Sequence, residues 1–301
     1  MSNLSKSSFY EEITITRENS SIPLKGRTVK FSYYESIFSP HITASLIYID
    51  TGDLVRGSKD TDTQERSGTI LKSLPVQGNG KETVSFKITN GLGSLDFTSY
   101  PLVVRAPIPL VQESNRESVE LKLVSEYAVK NENLRVYEKY YNNISNSISQ
   151  ILSQKLGIPS DKIFVDQTSN SYAFAGESQR PFDIIISVAS KSIPVSGSPG
   201  FFFWETQDGF NFKSIDNLIS TDPVATYKYY NVSKNSYKDF DNNFRILSSP
   251  AYSNNLDVIN ALRSGLYRTK NIFFNPFTQE YSEFYLTLEE SGIKTLGAEP
   301  E

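Results

Sequence analysis

Short alternating runs separated by turn residues fill the first 130 positions, and no other feature constrains the fold of this chain as strongly. In EITITRE, Ile13, Ile15 and Arg17 share one face and Thr14 and Thr16 the other, the two-residue period of a strand. The run from Val29 to Tyr34 repeats the pattern, and ITASLIYID (Ile42 to Asp50) reads as a buried strand stopped at Thr51-Gly52-Asp53. After a charged, polar loop from Gly57 to Ser67 come LKSLPV, a turn at Gly78-Asn79-Gly80, and ETVSFKI with Val84, Phe86 and Ile88 on one face. PLVVRAPIPLV up to Val111 and SVELKLVSEY (Ser118 to Tyr127) continue the series. With no helical period between them, these strands predict an antiparallel barrel or sandwich.

The texture changes near Tyr140. Ile144, Ile148, Ile151, Leu152 and Leu156 recur at helical spacing, ended by Gly157 and Pro159, with Asn142 or Asn143 as the expected cap. A short strand, KIFVD, precedes a second helix from Pro181 to about Ser192. A hairpin follows, with Phe201 and Phe203 across an Asp208-Gly209 turn from Phe210 and Phe212. A Tyr-rich strand region to Ser233, a helix from about Asn254 to Ser264, and the strands GLYRTKNIFFN and EYSEFYLTLEE complete the chain. The 18 Tyr and 19 Phe against one Trp and one Met suit pleated surfaces, so the fold class is mainly β with an α/β insertion.

Composition removes several kinds of chemistry. With 30 basic and 34 acidic residues the chain lacks the cationic excess that drives phosphate binding, so nucleic acid is not an expected partner. The absence of cysteine excludes disulfides, thiolate metal sites and cysteine nucleophiles, and the single histidine, His41, leaves multi-histidine metal centres out of reach. MSNLSKSSFYEE has no apolar core of a secretory signal, and the densest apolar run, Phe182 to Ala189, is far shorter than the ~20 residues of a membrane span. A soluble chain of cytoplasmic origin, without stable membrane insertion, is expected. Asn3, Asn143 and Asn231 head sequons that carry no weight without a secretory context.

The motifs that resemble catalytic or binding sites each have a plainer explanation. Asp50-Thr51-Gly52 matches the turn of an aspartic protease, but there is one copy, Asp53 follows where a small residue usually stands, and a hairpin turn accounts for it. Gly78-Asn79-Gly80-Lys81 has Pro75 and Glu82 where a phosphate loop needs Gly and Ser or Thr. Gly91-Leu92-Gly93 has Asp96 in place of the third glycine of a dinucleotide loop. His41 has no matching Ser and Asp signature. Glu11-Glu12 and Glu289-Glu290 occupy opposite-facing strand positions, so neither pair aims two carboxylates at one bond. Phe201, Phe202, Phe203 and Trp204 cannot all face one core from a strand. They fit either a central strand covered on both sides or a strand whose outer face meets another subunit.

Taken in order, SYYESIFSPHITASLIYIDTG (Ser32 to Gly52), LPVQGNGKETVSF (Leu74 to Phe86), LVSEYAVKNENLRVYEKY with the helix ending ILSQKLG, and GFFFWETQDGFNFKSIDNLI (Gly200 to Ile219) resemble the central baseplate hub proteins of T-even-like contractile-tailed phages. The resemblance covers most of the chain and rests on the order of the blocks. It implies two related antiparallel β-barrels with smaller α/β parts: a first hub barrel at 1–130, an α/β domain at 131–200, and a second barrel at 201–301 with a helical insert. Where the family's second barrel continues through more strands, this sequence reaches Gly297-Ala298-Glu299-Pro300-Glu301, so that barrel is expected to be incomplete.

The implied function is that of a structural virion protein. Three copies would form a ring between the six-fold tail tube and the three-fold cell-puncturing spike, with other baseplate proteins as neighbours. No enzyme activity, cofactor or metal is expected, and Phe201 to Trp204 are the candidate interface residues. Two alternatives come from other classes: an aspartic-type protease using Asp50 in a dimer, and a tail protein that binds host glycans on exposed aromatics.

Overall fold

The computed structural model describes residues 8–18, 20–51, 80–89, 93–112, 117–197, 199–223, 226–229, 245–246, 258–263 and 268–287. They fall into two units, Met1–Asp222 and Pro223–Glu301. Among the described residues antiparallel sheets dominate.

The first unit begins with eight strands: β1 (Phe9–Arg17), β2 (Ser20–Pro23), β3 (Thr28–Tyr34), β4 (Thr43–Asp50), β5 (Glu82–Thr89), β6 (Ser94–Asp96), β7 (Leu102–Gln112) and β8 (Glu117–Val124). They form one sheet in the order β2-β1-β5-β7-β8-β4-β3, with β6 on β5, and every pairing is antiparallel. The alternation legible in the sequence becomes its inner face. Ile13, Ile15, Leu46, Tyr48, Val84, Phe86, Val119 and Leu121 are fully buried, while their neighbours along β4, β5 and β8 are half-exposed. Each such side chain contributes ~1.5–3 kcal/mol on burial.

The sheet curls until strands far apart in the ladder touch. Phe31 on β3 packs against Phe86 on β5 at 4.7 Å between ring centroids, and Tyr33 against Phe97 at 5.5 Å. Ladder hydrogen bonds between the terminal strands β2 and β3 are absent among the described residues. The expected loop from Gly57 to Ser67, the LKSLPV run and most of the Gly78-Asn79-Gly80 turn lie outside the described residues, as do Gly91, Leu92, Glu289 and Glu290.

The strand expected to reach Tyr127 stops at Val124, because Ser125 starts a helix. Its hydroxyl accepts the Ala128 N–H at 3.2 Å, and α1 (Glu126–Asn133) follows with a Glu126–Lys130 pair at 2.9 Å. Next come β9 (Lys139–Tyr140), α2 (Ile144–Gln150), β10 (Ile163–Val165), β11 (Phe174–Ala175), α3 (Pro181–Ala189), β12 (Phe201–Thr206), β13 (Gly209–Ser214) and α4 (Ile215–Ser220).

The five apolar residues predicted to line one helix face are all buried. They remain on that face because α2 widens into a π-helical turn, Ile151–Lys155, which brings Ile151 and Leu156 together although an α-helix would separate residues five apart. Asn143 stands at the cap position without capping. Its carboxamide oxygen accepts from Ser171 Oγ at 2.7 Å, and the free Ser145 N–H is met by Thr168 Oγ1 at 3.1 Å.

The Phe201–Ser214 hairpin pairs with the middle segment. Its β13 is the central strand of a three-stranded sheet, parallel to β10 and antiparallel to β12. The two loop residues are Gln207 and Asp208, one position before the expected Asp208-Gly209. Gly209 is needed for another reason: it opens β13 at φ +146°, and a Cβ there would collide with the Lys162 carbonyl. The rings of Phe182, Phe201, Phe203, Phe210 and Phe212 share a core with α2, α3, Val103 and Val124, so one apolar cluster joins the end of the large sheet to the α/β layer.

In the second unit are β14 (Lys228–Tyr229), β15 (Arg245–Ile246), α5 (Val258–Arg263), β16 (Arg268–Asn275) and β17 (Glu280–Thr287). The helix and both final strands fall where the sequence predicts them. β16 and β17 form an antiparallel hairpin from Arg268↔Thr287 to Asn275↔Glu280.

Candidate functional site

Among the described residues, none of the sequence motifs assembles a catalytic group. Asp50 is buried in the last position of β4, directly opposite buried Glu117 on β8, and its Oδ1 lies 3.7 Å from Arg27 Nη1. The same guanidinium donates to Thr51 Oγ1 at 2.9 Å. Glu82, the first residue of β5, is also buried and pairs with Arg17 at 3.2 Å. A dimeric aspartic protease needs its carboxylate exposed on a turn so that two copies can share a proton. Asp50 is sealed in the sheet beside a cation, and this geometry gives the protease alternative no support. Tyr48, close to Asp50 and Glu117, has its phenol pKa pushed up by burial first and by both carboxylates second. Glu11 is the extra residue of a β1 bulge and pairs with Lys87 at 3.1 Å, while Glu12 accepts from Thr14. No cluster of three or more His, Cys, Asp or Glu suited to a metal occurs among the described residues.

The four aromatics from Phe201 to Trp204 divide by face. Phe201 stacks on Phe212 at 4.7 Å, and Phe203 lies 5.9 Å from Phe210 and 5.4 Å from Phe182. Trp204 is buried, whereas Phe202 is half-buried under the edge of the exposed Phe38 ring at 5.5 Å. Three of the four candidate interface residues therefore lie inside the chain's own fold, and Phe202 with Phe38 is the part that reaches the surface.

Glu205, next along β12, was not singled out in the sequence. It accepts the Ile42 N–H at 3.0 Å and a hydrogen bond from the Ser125 hydroxyl, the same group that caps α1. Two residues on, the Gln207 N–H donates to Glu35 Oε1 at 2.7 Å, which also accepts from Tyr33. The hairpin tip is thus tied to the large sheet by two carboxylates. Burial raises the Glu205 carboxyl to about 7, opposed by the hydrogen bonds from Ile42 and Ser125 and by Lys162, with Glu35 adding to the rise. Beside it lies a cavity of about 30 Å³, room for water and no substrate. Glu205 is a structural clamp in this setting.

Among the described residues, exposed apolar side chains are concentrated on a hairpin of the second unit. Phe277, at the tip of the β16–β17 hairpin, is 95% exposed, and Ile272, Phe273, Phe274, Tyr281, Phe284 and Tyr285 are 42–70% exposed. Ile272, Phe274, Tyr281 and Tyr285 share one face; Phe273 and Phe284 stack on the other at 5.3 Å. Since an aromatic side chain carries about 150–250 Å², each face of the hairpin presents on the order of a few hundred Å² of exposed apolar surface. The arrangement is one of packing surfaces, and no helix among the described residues is long and apolar enough to cross a membrane.

The fold thus defines a mainly antiparallel β chain with an α/β layer, built around packing and without an assembled reactive centre among the described residues. No protein-family model and no curated protein matches the chain. Among solved structures it is similar to the 43 kDa tail protein of prophage MuSo2 from Shewanella oneidensis (10% identity, TM-score 0.45, 73% of this chain and 58% of that one). It is also similar to a tail protein from Neisseria meningitidis (9%, TM-score 0.43, 75% and 56%). A third is an E. coli component of the type VI secretion system described as structurally similar to tail proteins of bacteriophage T4 (11%, TM-score 0.35, 70% and 47%). The chain spans about half the length of these structures.

Proposed function

We propose that the protein is a structural component of a contractile phage tail, a baseplate hub that assembles as a homotrimeric ring between the tail tube and the cell-puncturing spike. The ordered sequence blocks supply the hub reading, and the observation that carries it in the structure is the aromatic β16–β17 hairpin. A two-stranded hairpin is marginal alone in water. Its exposed rings lie on both faces and at the tip, so an assembly packing on them would cover apolar surface that a lone hairpin leaves to water. In this reading the first hub barrel is residues 1–130, and the α/β part runs from 131 through the hairpin at 201–214. The second barrel is then confined to 223–301, and Phe202 with Phe38 forms a smaller contact on the first unit.

Native mass measurement of the full chain should give three times the monomer mass. Phe274→Ser combined with Tyr281→Ser, which removes the largest cross-strand pair from one face, should weaken association at least tenfold. A wild-type chain that stays monomeric at high micromolar concentration and does not bind its spike would sink the proposal. Saturable binding to host glycans by such a monomer would favour the glycan-binding alternative instead.

A further inference from the structure

β7 carries an extra residue where Val104 pairs with Leu123 and Ala106 with Lys122, and that residue is Arg105. A bulge re-aims the side chain it inserts. The exposed Arg105 lines an open surface pocket of about 370 Å³, at the lower end of the range for small-molecule sites, with Val124 and Ala128 as apolar lining and the half-buried His41 and exposed Asn133 and Glu132 as polar groups. No carboxylate pairs with Arg105 among the described residues. The one acid in the cavity, Glu132, is drawn to Arg180 at 3.2 Å. The Glu132 and Leu134 carbonyls at the end of α1, which would repel an anion, are occupied by Arg135 Nη1 at 2.9 and 2.7 Å.

We propose that this cavity is a carboxylate-binding site in which the Arg105 guanidinium is the principal donor and the His41 imidazole and Asn133 carboxamide are the second and third. The ligand is a carboxylate, either of a small molecule or of an acidic side chain on a partner protein. The charged groups facing His41 are Arg105 from β7 and Glu132 from α1. Burial first and Arg105 second hold the imidazole below its ordinary pKa, with Glu132 opposing them. A carboxylate seated between Arg105 and His41 reverses that balance and favours the charged imidazole.

Because His41 is the only histidine, its ring gives a single imidazole signal in proton–carbon NMR of the full chain. At pH 6, sodium acetate should shift that signal saturably beyond a sodium chloride control of equal ionic strength. Saturating acetate should raise the His41 pKa by roughly one unit, the scale expected for a close opposite charge. A triglutamate peptide distinguishes the sources: saturation at a tenfold lower concentration than acetate points to an acidic side chain, and equal concentrations to a small carboxylate. Arg105→Gln should raise the pKa of the unliganded imidazole by removing a neighbouring cation, and should weaken the acetate response at least tenfold. Glu132→Gln should strengthen it. The proposal is overturned if neither probe gives a shift beyond the chloride control, or if Arg105→Gln responds to acetate as the wild type does.

Discussion

Phe212→Ala should lower the stability of the first unit by about 3–5 kcal/mol, the range for removing a fully buried aromatic. Phe212 has no exposed surface and lies on the central strand of its sheet, opposite Phe203 on one side and Val165 on the other. Its ring stacks on Phe201 at an interplanar angle of 16°. Truncation therefore empties a site walled by two strands and the helices above them, and a sheet held on both sides cannot collapse into the space. Against a total stability of about 5–15 kcal/mol, this loss is a large share. The measurement is urea unfolding followed by the fluorescence of the single Trp, Trp204, on the neighbouring strand. Phe202→Ala serves as the comparison, because that ring is half-buried, and it should cost about 1 kcal/mol. If Phe202→Ala were the more costly of the two, the assignment of the aromatic run to an internal core would fail.

Local patterning accounts for what could be read in advance. Ile13 and Ile15, or Val84, Phe86 and Ile88, announce their strand by period alone, because one buried face selects apolar residues at every second position. The helix residues Ile144 to Leu156 do so at helical spacing. Ser125 was also readable in principle: a Ser followed by Glu, with Lys four residues after that Glu, is a helix start. The apolar run before it extends the strand pattern up to the cap and obscures the boundary. Distance in sequence hides the rest. Thr168 replaces Asn143 as the cap from 23 residues beyond the N–H it meets, and Glu205 meets Ile42 across 163 residues. Each looks like an ordinary polar residue until the chain folds. The Phe201 to Trp204 run illustrates the same limit, since a strand buried on both faces and one facing a partner share a composition. Only the folded chain separates them, by burying Phe201, Phe203 and Trp204 and leaving Phe202 half-buried. Arg105 is legible in neither way, because a bulge is a mismatch between two strands and leaves no period in either.

Glu205→Gln should be about 3 kcal/mol more stable than the wild type at pH 8 and equal to it near pH 4. The clamp explains the sign. In the unfolded chain the carboxyl ionises near its ordinary value of 4.5, whereas burial in the folded protein raises it to about 7. Below 4.5 both states hold the proton, and the contribution to stability is complete. Between 4.5 and 7 the unfolded chain releases its proton while the folded chain keeps it, so stability falls as pH rises and the loss is finished above 7. At about 1.36 kcal/mol for each unit between the two values, the loss is on the order of 3 kcal/mol. Glutamine keeps an oxygen for the Ile42 N–H and offers an N–H to Ser125, reproducing the protonated acid without its titration. The surface carboxylates of Glu11, Asp96, Glu120 and Glu138, each held down chiefly by a hydrogen bond, slope the other way but are common to both proteins. The difference between variant and wild type therefore isolates Glu205. Denaturant unfolding at pH 4, 6 and 8 measures it, and a variant less stable than the wild type at pH 8 would mean that the junction depends on the ionised carboxylate.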